Sequence, residues 1–211
     1  MRICDTRPMK VIVFARAPIA GRCKTRLIPR LGAQGAAALH RRLVRRTLLA
    51  ACGSGLVTEL WCAPDAAHGF FARCRREFGV RLHRQCRGNL GDRMAHALAR
   101  ALRDASGVIL IGTDCIDLGP QDLRDAAQAL DRFDVVLQPA RDGGYVLIGA
   151  RRIAPVALRG VRWSSGQELT QTRARLRRAN LRWHELPSRR DLDTPADYRA
   201  AVKSGMLESR S

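Results

Sequence analysis

KVIVFARAPIAGRCKTRL, residues 10–27, decides how the rest of the chain is read. Val11 to Ala15 are consecutive apolar residues, the run of a strand buried on both faces. The chain then passes directly into a loop with Pro18, Gly21 and four cations, Arg16, Arg22, Lys24 and Arg26. In a parallel sheet ligands collect outside the carboxyl ends of the strands, so this loop sits where a phosphate would bind. Glycine lets backbone amides approach an anion, and Lys or Arg neutralises it. A basic turn without a ligand is the alternative. A Walker loop is excluded, because that motif needs glycine immediately before its lysine and Cys23 precedes Lys24.

Strand-length apolar runs recur at 58–63, 80–85, 108–112, 134–138 and 145–149, with a late candidate at 181–186. Residues 33–51 place Leu39, Leu43, Thr47 and Ala50 on one stripe and Arg41, Arg42, Arg45 and Arg46 mostly opposite, as an amphipathic helix does. Segments 89–104, 120–130, 167–179 and 195–203 read the same way, and Pro120 and Pro195 suit first helical turns. Strands alternating with helices specify an α/β fold with a mostly parallel central sheet. No linker or repeat divides the chain, so a single domain over 1–211, with a core of about 10–203, is expected.

Charge and cysteine content narrow the partners. Lys and Arg number 38 against 19 Asp and Glu, a formal charge of +19, which suggests an anionic partner. Only Lys10, Lys24 and Lys203 are lysines; the arginines run from Arg2 to Arg210, a spread that Arg- and Ala-biased coding also produces. With 46% hydrophobic residues the chain builds a core and is no disordered basic tail. Aromatic residues at 5% leave few stacking platforms, and no helix-turn-helix or zinc-finger spacing is visible, so nucleic acid is not the expected partner. Cysteines at 4, 23, 52, 62, 74, 86 and 115 are odd in number and form no CxxC pair, which argues against a zinc site or a disulfide framework and for reduced thiols. Apolar runs fall far below the roughly 18 residues of a membrane helix, and MRICDTRPMK lacks a signal-peptide core. A soluble, cytoplasmic protein without a membrane partner is expected, as monomer or homodimer.

The scarce acids are more informative. IGTDCIDL, residues 111–118, ends the apolar strand at 108–112, where Asp114 can hold a hard divalent cation between protein and phosphates. Asp117 either joins it or caps the helix opening near Pro120. Cys115 reads as a packing residue, with no histidine and carboxylate beside it to make it a nucleophile. In QPARDGGYVLIG, residues 138–149, Asp142 precedes two glycines suited to a tight turn between strands. In RRDLDTPADY, residues 189–198, Asp191 and Asp193 lead into Thr194, which with Asp197 resembles a capping box. Six of the nineteen acids fall in these three motifs, a clustering that argues for a cation.

In this order, the KTRL loop, GNLGDRM, GTDCIDL, PARDGGYVLIG, WSS and DLDTPADY resemble the GT-A-type nucleotide-diphospho-sugar transferase superfamily. Within it the chain is most similar to the radical-SAM/selenodomain-associated, arsenosugar-type glycosyltransferases, relatives of phospholactate guanylyltransferase. Coverage runs from about Lys10 to Tyr198. The resemblance implies a three-layer α/β/α, Rossmann-like GT-A fold. It assigns Pro18, Gly21, Lys24, Thr25 and Arg26 to nucleotide phosphates, and Gln85, Gly88 and Gly91 to a segment that helps hold the base. It assigns Asp114, with Asp191 or Asp193, to a Mg²⁺ or Mn²⁺ ion. Asp142, Gly143, Gly144 and Tyr145, with Trp163 and Ser164, fall on the acceptor side. Ile116 stands where the pattern has proline and Asp92 where it has glutamate.

The implied chemistry is attack by a small-molecule acceptor on a metal-bound nucleotide donor. In a glycosyltransferase the target is the anomeric carbon of a nucleotide sugar; in a nucleotidyltransferase it is the α-phosphorus of an NTP. Lys24 would stabilise charge on phosphate oxygens, and Asp142 would orient or deprotonate the acceptor. A non-catalytic nucleotide or nucleic-acid binder is the remaining reading, distinguished by a steep salt dependence and indifference to Asp114.

Overall fold

The computed structural model describes residues 6–152 and 157–207; Cys4 lies outside them. β1 (Met9–Arg16), β2 (Val57–Ala63), β3 (Arg81–Arg84), β4 (Gly107–Ile111), β5 (Val135–Pro139), β6 (Tyr145–Ala150) and β7 (Trp183–Glu185) form one sheet in the order β3-β2-β1-β4-β6-β5-β7. Every neighbouring pair is parallel except those made by β6, which runs antiparallel to both β4 and β5. The exception follows from the connection. A turn of a few residues between Pro139 and Tyr145 closes a hairpin, whereas a parallel partner needs a crossover of a dozen residues or more.

Helices α1 (Ile28–Gly53), α2 (Gly69–Phe78), α3 (Leu90–Ala101), α4 (Pro120–Ala129), α5 (Glu168–Arg178) and α6 (Pro195–Lys203) complete the chain. Side chains of β1 alternate between two cores. Val11 and Val13 pack with Val44, Leu48, Phe71 and Leu123 under α1, α2 and α4; Ile12 and Phe14 pack with Met94, Leu98 and Leu176 under α3 and α5. The result is the expected three-layer α/β/α arrangement around a mostly parallel sheet. A third cluster, with Leu27, Leu43, Ile116, Leu192 and Tyr198, seals α6 against the start of α1.

Local signals explain most boundaries. Asn89 accepts from the Asp92 amide at 3.0 Å and Asp92 accepts from the Asn89 amide, a capping box that starts α3. Thr194 and Asp197 make the expected box at α6. Asp117 does not cap α4. Gly119 takes that position and its amide donates to Asp122, while Asp117 accepts instead from the Cys115 thiol and the Arg190 amide. Gly32, at φ +66°, breaks helical geometry inside α1, so a short helical turn from Ile28 precedes the regular helix that the apolar stripe marks from residue 33. α2 was not anticipated: it is short and rich in arginine, although His68 caps it and Gly79 ends it in the left-handed region. Among the described residues no helix is long and apolar enough to cross a membrane.

Candidate functional site

Because only β6 is reversed, the carboxyl ends of the other six strands and the amino end of β6 share one edge of the sheet. A cleft of about 820 Å³ opens there. It brings together Lys24, Thr25 and Arg26 of the basic loop with Gln85, Asp114, Asp142, Trp163, Ser164 and Asp193. Arg16, Arg22, His40, Arg93 and Glu168 also line it.

At its floor Lys24 Nζ lies 2.8 Å from Asp114 Oδ1 and 2.8 Å from Asp193 Oδ1, and also donates to the Leu192 carbonyl. The side chain of Lys24 is 5% exposed, against 46% for Asp114 and 40% for Asp193. Burial alone would lower the lysine pKa, but the two carboxylates outweigh it and raise it above the usual value. Lys24 itself occupies the left-handed region, at φ 47°, opening a single 3-10 turn over Thr25–Leu27. The segment carrying Asp193 reaches the floor because the Leu192 amide donates to the Asp114 carbonyl at 2.9 Å and Asp191 bridges to Cys115. Burial, followed by the charges of Asp142, Asp193 and Asp114, pushes Asp191 up to about 6. Burial also pushes the Cys115 thiol up, consistent with a packing role. Among the described residues no three His, Cys, Asp or Glu side chains gather into a ready metal cage.

On the β2–β3 side the cleft is basic. Gln85, at the end of β3, is buried; its amide nitrogen donates to the Trp61 carbonyl at 2.8 Å and to the Ala15 carbonyl at 3.4 Å. Its Oε1 accepts from Arg93 Nη1 at 3.1 Å. Its amide nitrogen is thus committed to the backbone, and sequence reasoning passed over Arg93 beside it. The signal was there: Arg93 follows the Asn89 cap by one helical turn. His40 Nε2 contacts the Arg16 carbonyl at 2.9 Å, leaving a buried Nδ1 without a hydrogen-bond partner among the described residues.

On the β5–β6 side Asp142 Oδ1 accepts from the Gly144 amide at 2.9 Å, which fixes the turn and the carboxylate together. Gly143, at φ +92°, packs so closely that a Cβ would stand 2.1 Å from the Gly166 carbonyl oxygen. Ser164 lines the cleft in the left-handed region at φ 62°. Glu168 is buried and accepts from the Ser165 amide at 2.7 Å. Pro18, Gly21, Gly88, Gly91, Asp191, Gly143, Gly144 and Tyr145 do not line the cleft. Tyr145 is partly buried, edge-on against Trp163, with ring centroids 6.0 Å apart. At Gly91 a Cβ would lie 2.3 Å from the Leu158 carbonyl, so this glycine lets α3 approach the segment that carries Trp163.

The family model described as an uncharacterized protein conserved in bacteria, DUF2064, matches residues 47–165, more than half of the chain. The chain belongs to the DUF2064 family. The matched range of this DUF2064 chain contains Gln85, Arg93, Asp114, Asp142 and Trp163, whereas Lys24 and Asp193 lie outside it. No match was found among curated proteins. Among solved structures, a candidate nucleotide-diphospho-sugar transferase from Desulfovibrio desulfuricans G20 superposes with a TM-score of 0.86 at 29% identity, covering 95% of this chain and 89% of that one. The inositol-1-phosphate CTP transferase of T. maritima gives 0.58 at 12% identity, over 96% and 97% of the two chains. A Mycobacterium tuberculosis H37Rv protein solved with manganese gives 0.54 at 19%, over 93% and 99%. The last two share the fold.

Proposed function

We propose that this DUF2064 chain is a nucleotide-using transferase that takes a nucleotide-sugar donor and a small-molecule acceptor, acting in the cytoplasm as a single domain over 1–211. The observation that carries the reading is the convergence of Asp114 and Asp193 on one point in an arginine-lined cleft at the carboxyl edge of the sheet. Likeness to the Desulfovibrio protein favours sugar transfer, and the resemblance of the motifs supports the radical-SAM/selenodomain-associated branch.

A Mg²⁺ or Mn²⁺ ion fits this donor set: such ions use one or two carboxylates and complete their shell with waters and substrate phosphates, so no three-ligand cage is required. Asp114 and Asp193 would hold it, with Asp191 behind them. When bound, the ion supplies positive charge to phosphate oxygens. Lys24 holds the two carboxylates together and provides a second cation beside the phosphates. Thr25, Arg26 and Arg22 offer further donors from the loop that Pro18 and Gly21 shape. Asp142, oriented through the Gly144 amide, directs its other oxygen to the acceptor hydroxyl and takes its proton. The acceptor oxygen then bonds to the anomeric carbon, the bond to the diphosphate breaks and the nucleoside diphosphate leaves. Trp163 and Ser164 wall the acceptor side, with the Gly143–Gly144 turn and Tyr145 packed behind.

Nucleotidyl transfer is the second reading, favoured by the fold shared with the CTP transferase. There the acceptor attacks the α-phosphorus of an NTP and pyrophosphate leaves. Phosphorus NMR of the protein with diamagnetic Mg²⁺, UDP-glucose, GDP-mannose, CTP and GTP, with water or added polyols as acceptors, separates the two. Release of nucleoside diphosphate from a nucleotide sugar is expected. Pyrophosphate from an NTP would establish the second reading, and no turnover of any of them would count against both.

A further inference from the structure

Lys24 is taken up by two carboxylates, yet the guanidinium groups of Arg16, Arg22, Arg26 and Arg93 on the cleft wall meet no carboxylate among the described residues. Arg16, Arg22 and Arg26 are exposed to solvent. Arg93 differs. It is only partly exposed, and it sits in the first turn of α3, where the helix dipole presents its positive end and disfavours a cation. Burial and the charge of Arg16 both act against its own charge. The acid next to it gives no relief: Asp92 Oδ2 caps the Asn89 amide and its Oδ1 lies 3.5 Å from Arg159.

The protein nevertheless holds this side chain in place. Gln85 can turn only its amide nitrogen toward the Trp61 and Ala15 carbonyls, so Oε1 must face Arg93 Nη1. Arg93 Nε donates to the Asn89 carbonyl at 3.4 Å. Nη2 is left without a hydrogen-bond partner among the described residues, on a side chain that lines the cleft. A half-buried guanidinium in the first turn of a helix, with a second one on the same cleft wall repelling it, is costly until an anion joins them.

We propose that Arg93, which shares the cleft wall with Arg16, is the phosphoryl-anion anchor of the cleft, and that Gln85 is the positioning residue that aims it. The inference rests on the transferase reading for the identity of the ligand but not for the existence of the anion site. The phosphoryl group belongs either to the nucleotide donor or to a phosphorylated acceptor.

Calorimetric titration of the full chain with Mn²⁺ tests this, using pyrophosphate, CTP, GTP, UDP-glucose and glucose 1-phosphate as probes. Arg93→Gln should weaken the phosphoryl probes about ten- to hundredfold, the worth of a charge-assisted hydrogen bond. The ligand-free melting temperature should stay the same or rise, because a repelled, half-buried cation has been removed. Arg93→Lys should fall between. Gln85→Met should weaken binding in the wild-type background and add nothing in the Arg93→Gln background. Loss confined to the nucleotides assigns the anion to the donor, and loss confined to glucose 1-phosphate assigns it to the acceptor. Pyrophosphate binding that depends on Arg93, without binding of any nucleotide, would sustain the anchor while refuting the transferase reading. Nucleotide binding indifferent to Arg93→Gln would refute the anchor and leave that reading standing. A marked drop in the ligand-free melting temperature would make Arg93 a structural residue and overturn the proposal.

Discussion

Lys24 is the residue on which the floor of the cleft depends. Its ammonium is buried while both partner carboxylates are half-exposed, so removing it leaves two like charges facing each other with only partial hydration. Lys24→Met should lower unfolding free energy by about 1–2 kcal/mol, below the cost of breaking a fully buried pair because solvent screens the acids. If Asp114 and Asp193 form a cation site, millimolar Mn²⁺ should restore much of that loss, since a ligand that binds only the folded state raises stability by mass action. Denaturant unfolding with and without Mn²⁺ measures both effects; a variant that Mn²⁺ does not rescue would argue against a cation at these carboxylates. The acids themselves were legible as a cluster in a chain poor in acid. That Lys24 would sit between them was not, because the loop's other cations pointed toward phosphate and 169 residues separate Lys24 from Asp193.

At the scale of elements, the segment after β7 delivers Asp193 to the cleft, with Asp191 behind it. Backbone bonds tack it along the sheet edge, from Leu186 to the Leu137 carbonyl, Arg189 to that of Pro139 and Leu192 to that of Asp114. One side-chain clamp holds it to α4: Arg189 Nη2 and Nε lie 2.6 and 3.0 Å from Asp122 Oδ1, which also accepts from Gln138 at 2.7 Å. Burial alone would raise the Asp122 pKa, but the Gly119 amide, Arg189 and Gln138 outweigh it and hold the acid below its ordinary value. A carboxylate with a depressed native pKa contributes stability that is full above its unfolded value of 3.8 and is lost as pH falls through the native one. Arg189→Met should therefore cost about 1–3 kcal/mol near neutral pH and move the acid-unfolding limb to higher pH. It should also weaken Mn²⁺-dependent nucleotide binding although Arg189 does not line the cleft. Unchanged acid stability would contradict the clamp. Periodicity revealed six of the seven strands nearly to the residue and α6 fully, because those segments are buried in regular patterns. It could not reveal this clamp, whose partners lie 67 residues apart with no local pattern linking them. α2 escaped because its cap is His68, outside the usual N-cap residues, so no local signal marked its start.

Across the whole molecule the charge of +19 sorts into unequal parts. Arg45 pairs with Glu77 at the surface, where such a pair contributes little, while Arg152 and Arg173 pair with the partly buried Asp134 and Glu185. A smaller group lines the cleft, and the surplus as a whole draws anions toward the basic edge of the sheet. Added salt should slow association while leaving a cation-dependent site in place. A nucleic-acid surface would behave differently, with affinity falling steeply in log salt and no dependence on Asp114. The most direct test is nucleotide affinity, for CTP, GTP and their sugar diphosphates, with and without Mn²⁺, in wild type and Asp114→Ala. The cation-assisted cleft predicts that at least one nucleotide binds wild type only with Mn²⁺ and that Asp114→Ala abolishes the Mn²⁺ dependence; equal affinity with and without Mn²⁺, or in the presence and absence of the Asp114 carboxylate, would contradict it.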